Sequence, residues 1–502
     1  IRDAEVLQLT NGPESFTPDG EFILGESHVR GFFVAAGFNA HGIAGAGGMG
    51  KIMAEWIVDG KPSMDVWQMD IRRFGEHSRS RRYTLERSAE ALAFYYDIHF
   101  PNEEPRSARG LRLSPAYERL RALDAEFGEK AGWERPNYFR SNEDPSYERL
   151  RPQGWAGRLW STAIPAEHLA TRERAGLFDQ TSFAKIEIEG PGACTLLQRL
   201  CDNNIDKSPG TVTYTQMLNP QGGIESDFTV TRLEEERFRI VTGTAFGIHD
   251  MDWIRRHRPD DGSVQIRDVT SGLACIGLQG PRARDILSSV CQDDLSNEAF
   301  PYMRAREITI HGVPCLALRV TYVGELGWEL YPPMEFGTRL WDVLFEAGQP
   351  HGLVPAGYRA IESMRLEGGF LAWAADITPE DNPYEAGLGF AVKLDKPMPF
   401  IGKEALEKVK AQGGVVDGEA GRAGDGLDRR GAADRPGDAD PVGAAGGHPA
   451  QRGARQGPAR RVLRGRCRGR RREGTGAGIS QRLRPDNSRR DASGQGRFCH
   501  CR

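Results

Sequence analysis

The hydrophobic pattern changes period several times along the chain, and each change marks an element. Apolar and polar positions alternate through VTYTQML from Val212 and again through IESDFTVTRLE from Ile224, with NPQGG between them. A period of two on either side of a glycine-rich turn at 219–223 predicts a β-hairpin that carries Asp227 on its second strand. Two further segments echo each other. GPGACTLLQRLC begins at Gly190 after the apolar run AKIEIE, and GPRARDILSSVC begins at Gly280 after LACIGLQ. Each reads as strand, Gly-Pro turn, helix, and two copies imply paired α+β subdomains because one such unit cannot close a core alone. Downstream, LRVTYVGELGWELYPP crowds Tyr322, Gly324, Gly327, Trp328 and Glu329 into a short strand pair, and GYRAIESMRLEGG places Arg359, Glu362 and Arg365 along one helix.

Near the start, GFFVAAGFNAHGIAGAGGMG runs for 20 residues from Gly31 without a charge. The length suits a membrane span, but seven glycines, with Asn39 and His41 near the middle, leave polar groups that lipid cannot satisfy. The run divides better into a short buried strand, GFFVAAGF, a glycine-rich turn, and the amphipathic helix GKIMAEWIVDG. Such a turn aims free N–H groups and a positive dipole end at an electron-rich ligand. It equally suits a tight turn packed on a sheet, and spacing alone leaves both readings open.

Composition narrows the class. At 502 residues the chain holds two or more domains, and 39% hydrophobic content with nine tryptophans is enough for cores. Eight cysteines without a CxxC pair fit a reducing, cytoplasmic setting and argue against structural zinc. No leader-like segment opens the sequence, and residue 1 falls inside a segment with folded character, so the chain is read as lacking its true N-terminus. The formal net charge of -4 hides an asymmetry: from Ala411 onward there are 20 arginines, 10 acidic residues and no lysine. This Arg/Gly-rich tail, 411–502, is expected to be disordered. Its composition is what a GC-rich gene gives when read out of frame, a reading preferred over a flexible linker or an arginine-rich nucleic-acid tail.

YTQMLNPQGGIESDFTV, TYVGELGWELY and RLEGG…NPYEAGLGFAVKLDK…FIGKEAL strongly resemble the aminomethyltransferase (glycine-cleavage T-protein) family over roughly 154–409. The stretch from NGPESFTPDGEFILGE to MDIRRF looks like the closing segment of an amine-oxidising flavoprotein domain. The fusion of the two, with YYDIHFPNEEPRSARGLRLSPAYERL and AGWERPNYF between, is similar to sarcosine and dimethylglycine dehydrogenases. The resemblance implies an α+β architecture with an FAD-dependent oxidoreductase remnant at 1–70, a central linker domain at 71–153 and a folate-binding domain at 154–410.

It also implies a chemistry. FAD takes a hydride from an N-methyl amino acid, sarcosine or dimethylglycine, and tetrahydrofolate captures the resulting iminium carbon as 5,10-methylene-tetrahydrofolate before water can release it as formaldehyde. A carboxylate beside the folate amine would orient it and steady the developing cation. Asp227 matches the aspartate of the family's GG-x-x-x-D hairpin and is the expected catalytic residue; Glu225, one register step away, is expected on the other side of the strand. By the same resemblance Tyr214 and Tyr322 flank the pterin, Glu329 pairs with its amino-pyrimidine donors, and Arg365 fixes the ring. Gly37, Asn39, His41, Gly42 and Ile43 are expected beside the flavin ring, with the following glycines packing the helix under it. No metal, nucleic acid or membrane is expected, and the electron acceptor is not identifiable. No GxGxxG Rossmann fingerprint follows any strand, so the part that would grip the ADP moiety of FAD is expected to be absent, and the family's final small β-domain is replaced by the tail. The rival functions are a stand-alone aminomethyltransferase and a folate-binding protein without turnover.

Overall fold

The computed structural model describes residues 12–413 together with Glu5 and Gln8. The first elements are β1 (Ile23–Glu26) and β2 (Phe33–Ala36), an antiparallel hairpin, followed by α1 (Gly42–Asp59). Ile52 and Trp56 of α1 pack on Leu24 and Val66, so the apolar stripe read from the sequence is real. The expectation of a buried strand is corrected: β2 pairs only with β1 among the described residues, and Ala35 and Ala36 are exposed. Of the α1 glycines, Gly42 and Gly45 lie against Phe38 and Phe22, while a side chain added at Gly47, Gly48 or Gly50 would meet no atom within 4 Å among the described residues. No described residue covers that face.

The stretch read as a linker has its own structure. It contains α2 (Arg81–Phe94), α3 (Tyr117–Ala122) and the hairpin of β3 (Ala125–Lys130) with β4 (Trp133–Phe139). Then α4 (Ala163–Glu173) leads into two sheets. The strands are β5 (Gly176–Asp179), β6 (Ala184–Glu189), β7 (Val212–Leu218), β8 (Ile224–Glu234), β9 (Arg237–Thr242), β10 (Gln265–Asp268), β11 (Ile276–Gln279), β12 (Arg304–Ile310), β13 (Val313–Arg319), β14 (Gly327–Tyr331) and β15 (Val354–Ala356). Between them lie α5 (Ala193–Leu200), α6 (Gly247–Arg256), α7 (Ala283–Val290) and α8 (Gly337–Gly348), and after them α9 (Tyr358–Glu367) and α10 (Lys403–Ala411).

One sheet runs β10-β6-β9-β8-β7 and the other β12-β13-β14-β11-β5-β15, antiparallel except for β15 beside β5. The two echoing segments are β6–α5 and β11–α7, as their pattern predicts. Helices α5 and α6 seal one face of the first sheet through Leu196, Leu197, Leu200 and Ile254 on Ile186, Phe228, Val230 and Ile240. Helices α7 and α8 seal the second through Ile286, Leu287, Leu340 and Trp341 on Ile276, Leu278, Trp328 and Leu330. The opposite faces meet through Val212 and Val241 on one sheet and Cys275, Leu318 and Tyr331 on the other. The α+β class expected from the sequence is the class observed. Residues 414–502, most of the expected tail, lie outside the described residues, while α10 reaches Ala411 within it. No helix among the described residues is long and apolar enough to cross a membrane.

Candidate functional site

On a strand, residues two apart share a face. In β7 Met217 turns to the helix-covered core, so Tyr214 and Gln216 turn to the inter-sheet side. The register sets Gln216 against Asp227 and Tyr214 against Thr229, which brings a tyrosine, a glutamine and a carboxyl group together on one face. The Gln216 amide donates to Asp227 Oδ1 at 3.4 Å, while its own Oε1 is buried without a protein partner. Burial pushes the Asp227 carboxyl up to about 7; Tyr214 and Gln216 pull it down, and the carboxylates of Asp202 and Asp250 push it further up. The Tyr214 hydroxyl is raised well above its usual range by burial and by Asp227. Its ring stacks on Phe390 at 6.1 Å and 17°.

Tyr322 arrives from the turn after β13, in which the Thr321 hydroxyl accepts from the backbone N–H groups of Val323, Gly324 and Glu325. The expected strand pair is the end of β13 with β14, Leu318 standing opposite Glu329, and that turn lies between them. The Tyr322 hydroxyl donates to the Leu371 carbonyl at 2.8 Å, its ring lies 5.8 Å from Phe370, and the charges of Arg365 and Asp227 both reach it. Arg365, 3% exposed, binds Glu362, Asp376 and the Phe370 carbonyl. Its guanidinium therefore pins the 370–376 segment that walls the site. From that segment Trp373 Nε1 donates to the Ile224 carbonyl at 2.8 Å, three residues before Asp227.

Tyr214 and Asp227 interact through their side chains, and Tyr322 lies within charge reach of both Asp227 and Arg365. Glu329 lies in the inter-sheet layer, where its carboxylate accepts from Tyr331 at 2.5 Å with Lys185 within charge reach, and burial raises its pKa. The reason given for separating Glu225 from Asp227 is also corrected, since positions two apart share a strand face. A bulge opposite Met217 and Leu218 releases Glu225 toward His249, 3.8 Å away, and away from the Asp227 partners.

The 37–43 segment stands apart, at the start of α1. Gly37, Asn39 and Ala40 all have positive φ, and a side chain at Gly37 would lie 2.6 Å from Thr17 Cγ2. Asn39 is spent internally, accepting from Thr17 N at 2.9 Å and donating to the Gly20 carbonyl at 2.9 Å. His41 meets the Tyr95 hydroxyl, and no side chain caps the helix start at Gly42. Ile43 is 98% exposed.

Sequence reasoning missed Gln216, Phe390 and Asp202. Gln216 could have been found from the period of two that it shares with Tyr214. Phe390 stood in the GLGFAVK stretch without a pattern to single it out. Asp202 follows α5 in a loop and gave no signal.

The result is an α+β pair of packed sheets with a carboxyl-centred, aromatic-walled site beside the edge strand of the first. Comparison with known proteins agrees. The model of the GCVT N-terminal domain family matches residues 116–396, and that of the FAD dependent oxidoreductase central domain matches 59–114. The chain belongs to the GCVT family. It is 40% identical over 404 residues to 4-methylaminobutanoate oxidase (formaldehyde-forming) of Paenarthrobacter nicotinovorans, covering 80% of this chain and 48% of that protein. It is 38% identical over 440 residues to the mitochondrial sarcosine dehydrogenase of Homo sapiens, again 80% and 48%. Among solved structures, the glycine cleavage system aminomethyltransferase T from Bartonella henselae superposes with a TM-score of 0.50 at 27% identity, over 60% of this chain and 76% of that one. The chain spans about half the length of the curated oxidoreductases it matches.

Proposed function

We propose that this chain carries the one-carbon-transfer half of an enzyme that oxidatively demethylates sarcosine or dimethylglycine with FAD and delivers the carbon to tetrahydrofolate. The observation that carries the reading is Asp227, whose carboxyl titrates near 7 beside Tyr214 and Gln216 and within charge reach of Tyr322. A carboxyl balanced there can take a proton from, or return it to, an amine at neutral pH. The fit to a reduced pterin rests on the unpartnered Gln216 Oε1 beside that carboxyl, and on the Tyr214–Phe390 and Tyr322–Phe370 pairs that wall the space. When bound, tetrahydrofolate supplies the nucleophilic amine. Asp227 orients it and holds its proton, Tyr214 and Gln216 fix the carboxyl, and Arg365 keeps the 370–376 wall closed against water.

Gly37, Asn39, His41, Gly42 and Ile43 are proposed to border the flavin, which would supply hydride acceptance. The uncapped N–H groups at the start of α1 fit an electron-rich ring edge. The partners are then small molecules, and the free cysteines among the described residues suit a reducing, cytoplasmic setting. The match of 59–114 to an FAD dependent oxidoreductase domain favours this reading over a stand-alone aminomethyltransferase or a folate binder without turnover.

The test is Asp227→Asn in the full-length protein. Formation of methylene-tetrahydrofolate should fall by about 10²-fold or more while flavin reduction by substrate stays unchanged. Equal loss in both half-reactions, or in neither, would refute the assignment.

A further inference from the structure

A second charged cluster lies outside the Asp227 site. One face of the β3–β4 hairpin presents Lys130 and Arg135, and α9 packs against that hairpin with Tyr358 and Arg359 at its start. The Arg135 guanidinium sits 4.3 Å over the Tyr358 ring, and its Nε is buried without a partner. Arg359 donates to Glu104 Oε1 at 2.8 Å and to Asn102 Oδ1 at 2.7 Å. Glu104 Oε2 is buried and unpartnered. Glu104 contacts Arg359 and its charge also reaches Lys130, with Glu362 and the Tyr138 hydroxyl the further groups whose charge reaches Arg359. Burial and then the Arg135 charge hold Lys130 below its usual range, with Arg359 acting the same way and Glu104 opposing. Arg359 is lowered chiefly by burial, with Arg135 adding to it against Glu104. Mutual repulsion of this kind is relieved by an anion.

We propose that Lys130, Arg135 and Arg359 form a binding site for a carboxylate of a small-molecule ligand. Arg135 has an unused Nε–H, the Arg359 side chain is 21% exposed, and Lys130 reaches solvent, so a carboxylate approaching this face meets the charges of all three. Two sources share that chemistry. Helix α9 joins this cluster to the Asp227 site, since the Glu362 charge reaches both Arg359 and Tyr322, and a folate lying along α9 would bring its glutamyl carboxylates toward Arg359. The other source is the carboxylate of the N-methyl amino acid. The site itself stands on its own geometry; only the identity of the carboxylate rests on the function proposed above.

The experiment is equilibrium binding to the full 502-residue chain by calorimetry, with glutarate, 5-formyltetrahydrofolate, 6-methyltetrahydropterin and N-methylglycine as probes. Arg135→Gln, and separately Lys130→Gln on the exposed end of the hairpin, should each weaken glutarate by about tenfold, the scale of one charge-assisted pair. If the folate tail is the source, both variants weaken 5-formyltetrahydrofolate and spare 6-methyltetrahydropterin. If the amino acid is the source, both weaken N-methylglycine and spare the folates. The proposal is overturned if the wild-type chain binds none of the three carboxylates, or if both variants keep the wild-type melting temperature and wild-type affinity for all of them. Failure of the wild-type chain to bind 6-methyltetrahydropterin would count against the folate reading and leave the glutarate result to judge this site.

Discussion

Asp227→Asn should stabilise the protein above neutral pH while slowing transfer by about 10²-fold or more, and the size of the stability effect follows from the site. The carboxyl is enclosed with one amide donor at 3.4 Å and the Tyr214 hydroxyl, too little to offset burial and the nearby Asp202 and Asp250 carboxylates. Its pKa climbs from 3.8 to about 7. A carboxyl raised on folding binds more protons folded than unfolded between those values, so stability falls as pH rises through that window and the cost is complete above it. About three units at roughly 1.4 kcal/mol each bound the cost at about 4 kcal/mol. Asparagine is nearly isosteric, keeps an oxygen for the Gln216 amide and carries no charge to desolvate. Urea unfolding of both proteins at pH 5 and pH 8 should therefore show the variant gaining about 2–3 kcal/mol relative to wild type between the two conditions. A variant destabilised by the same amount at both pH values would show Asp227 to be an ordinary structural acceptor.

Arg365→Met leaves Asp376 and Glu362 without their partner and frees the Phe370 carbonyl, so it should cost about 3 kcal/mol in urea unfolding and weaken reduced-folate binding with it. Arg365→Lys should fall between, and an unchanged Lys variant would mean that the forked geometry is not needed. Glu167, fully buried, accepts from Phe139 N and Asn142 Nδ2 on one oxygen and from Gly357 N on the other. Burial pushes this carboxyl up to about 8 against the backbone and Asn142 donors that pull it down, so wild-type stability falls as pH rises toward that value; Glu167→Gln, uncharged throughout, should gain stability relative to wild type between pH 5 and pH 9, read by thermal melting, and an unchanged difference would refute the burial cost. Gly48→Ala should stabilise α1 by roughly 0.5–1 kcal/mol, because nothing lies within 4 Å of the added methyl; a loss would show that this face is covered.

The sequence showed the hairpin of β7 and β8, the two strand-turn-helix units and helix α9 because each rests on a local rule: a period of two, a glycine at a sharp turn, a period of 3.6. It did not show that the polar face of AKIEIE is inside. Alternation ordinarily means one face in water, yet Lys185 is fully buried, with Nζ on the Thr181 carbonyl at 2.7 Å, and Glu187 pairs with Arg239 at 2.6 Å. Whether a polar face meets solvent or a second sheet is decided by tertiary packing, which no local pattern encodes. The same limit explains Glu329. Its strand face was legible, but its partner there, the Tyr331 hydroxyl, depends on what the opposite sheet leaves free. The buried-strand reading of 31–38 failed in the other direction: apolar content suggested neighbours on both sides, and the described residues supply one.

The repeat also accounts for where the site lies. Gly190 and Gly280 end corresponding strands with φ of 121° and 126°. An added Cβ would fall 2.3 Å from the Ser263 carbonyl oxygen in the first and 2.6 Å from the Arg174 carbonyl oxygen in the second. Only glycine turns the chain this sharply at such close approach, and in both copies the turn sends the following helix to the outer face. The inner faces are thereby left to each other, and the polar residues on them must pair or stay open to a ligand. Lys185 and Glu187 on β6 lie inside the first sheet and are sealed. Asp227 lies on β8, beside the edge strand β7, where the 370–390 segment rather than the second sheet faces it through Phe370 and Phe390. That position near the edge leaves a carboxyl partly desolvated yet still reachable, the combination a proton-handling group requires.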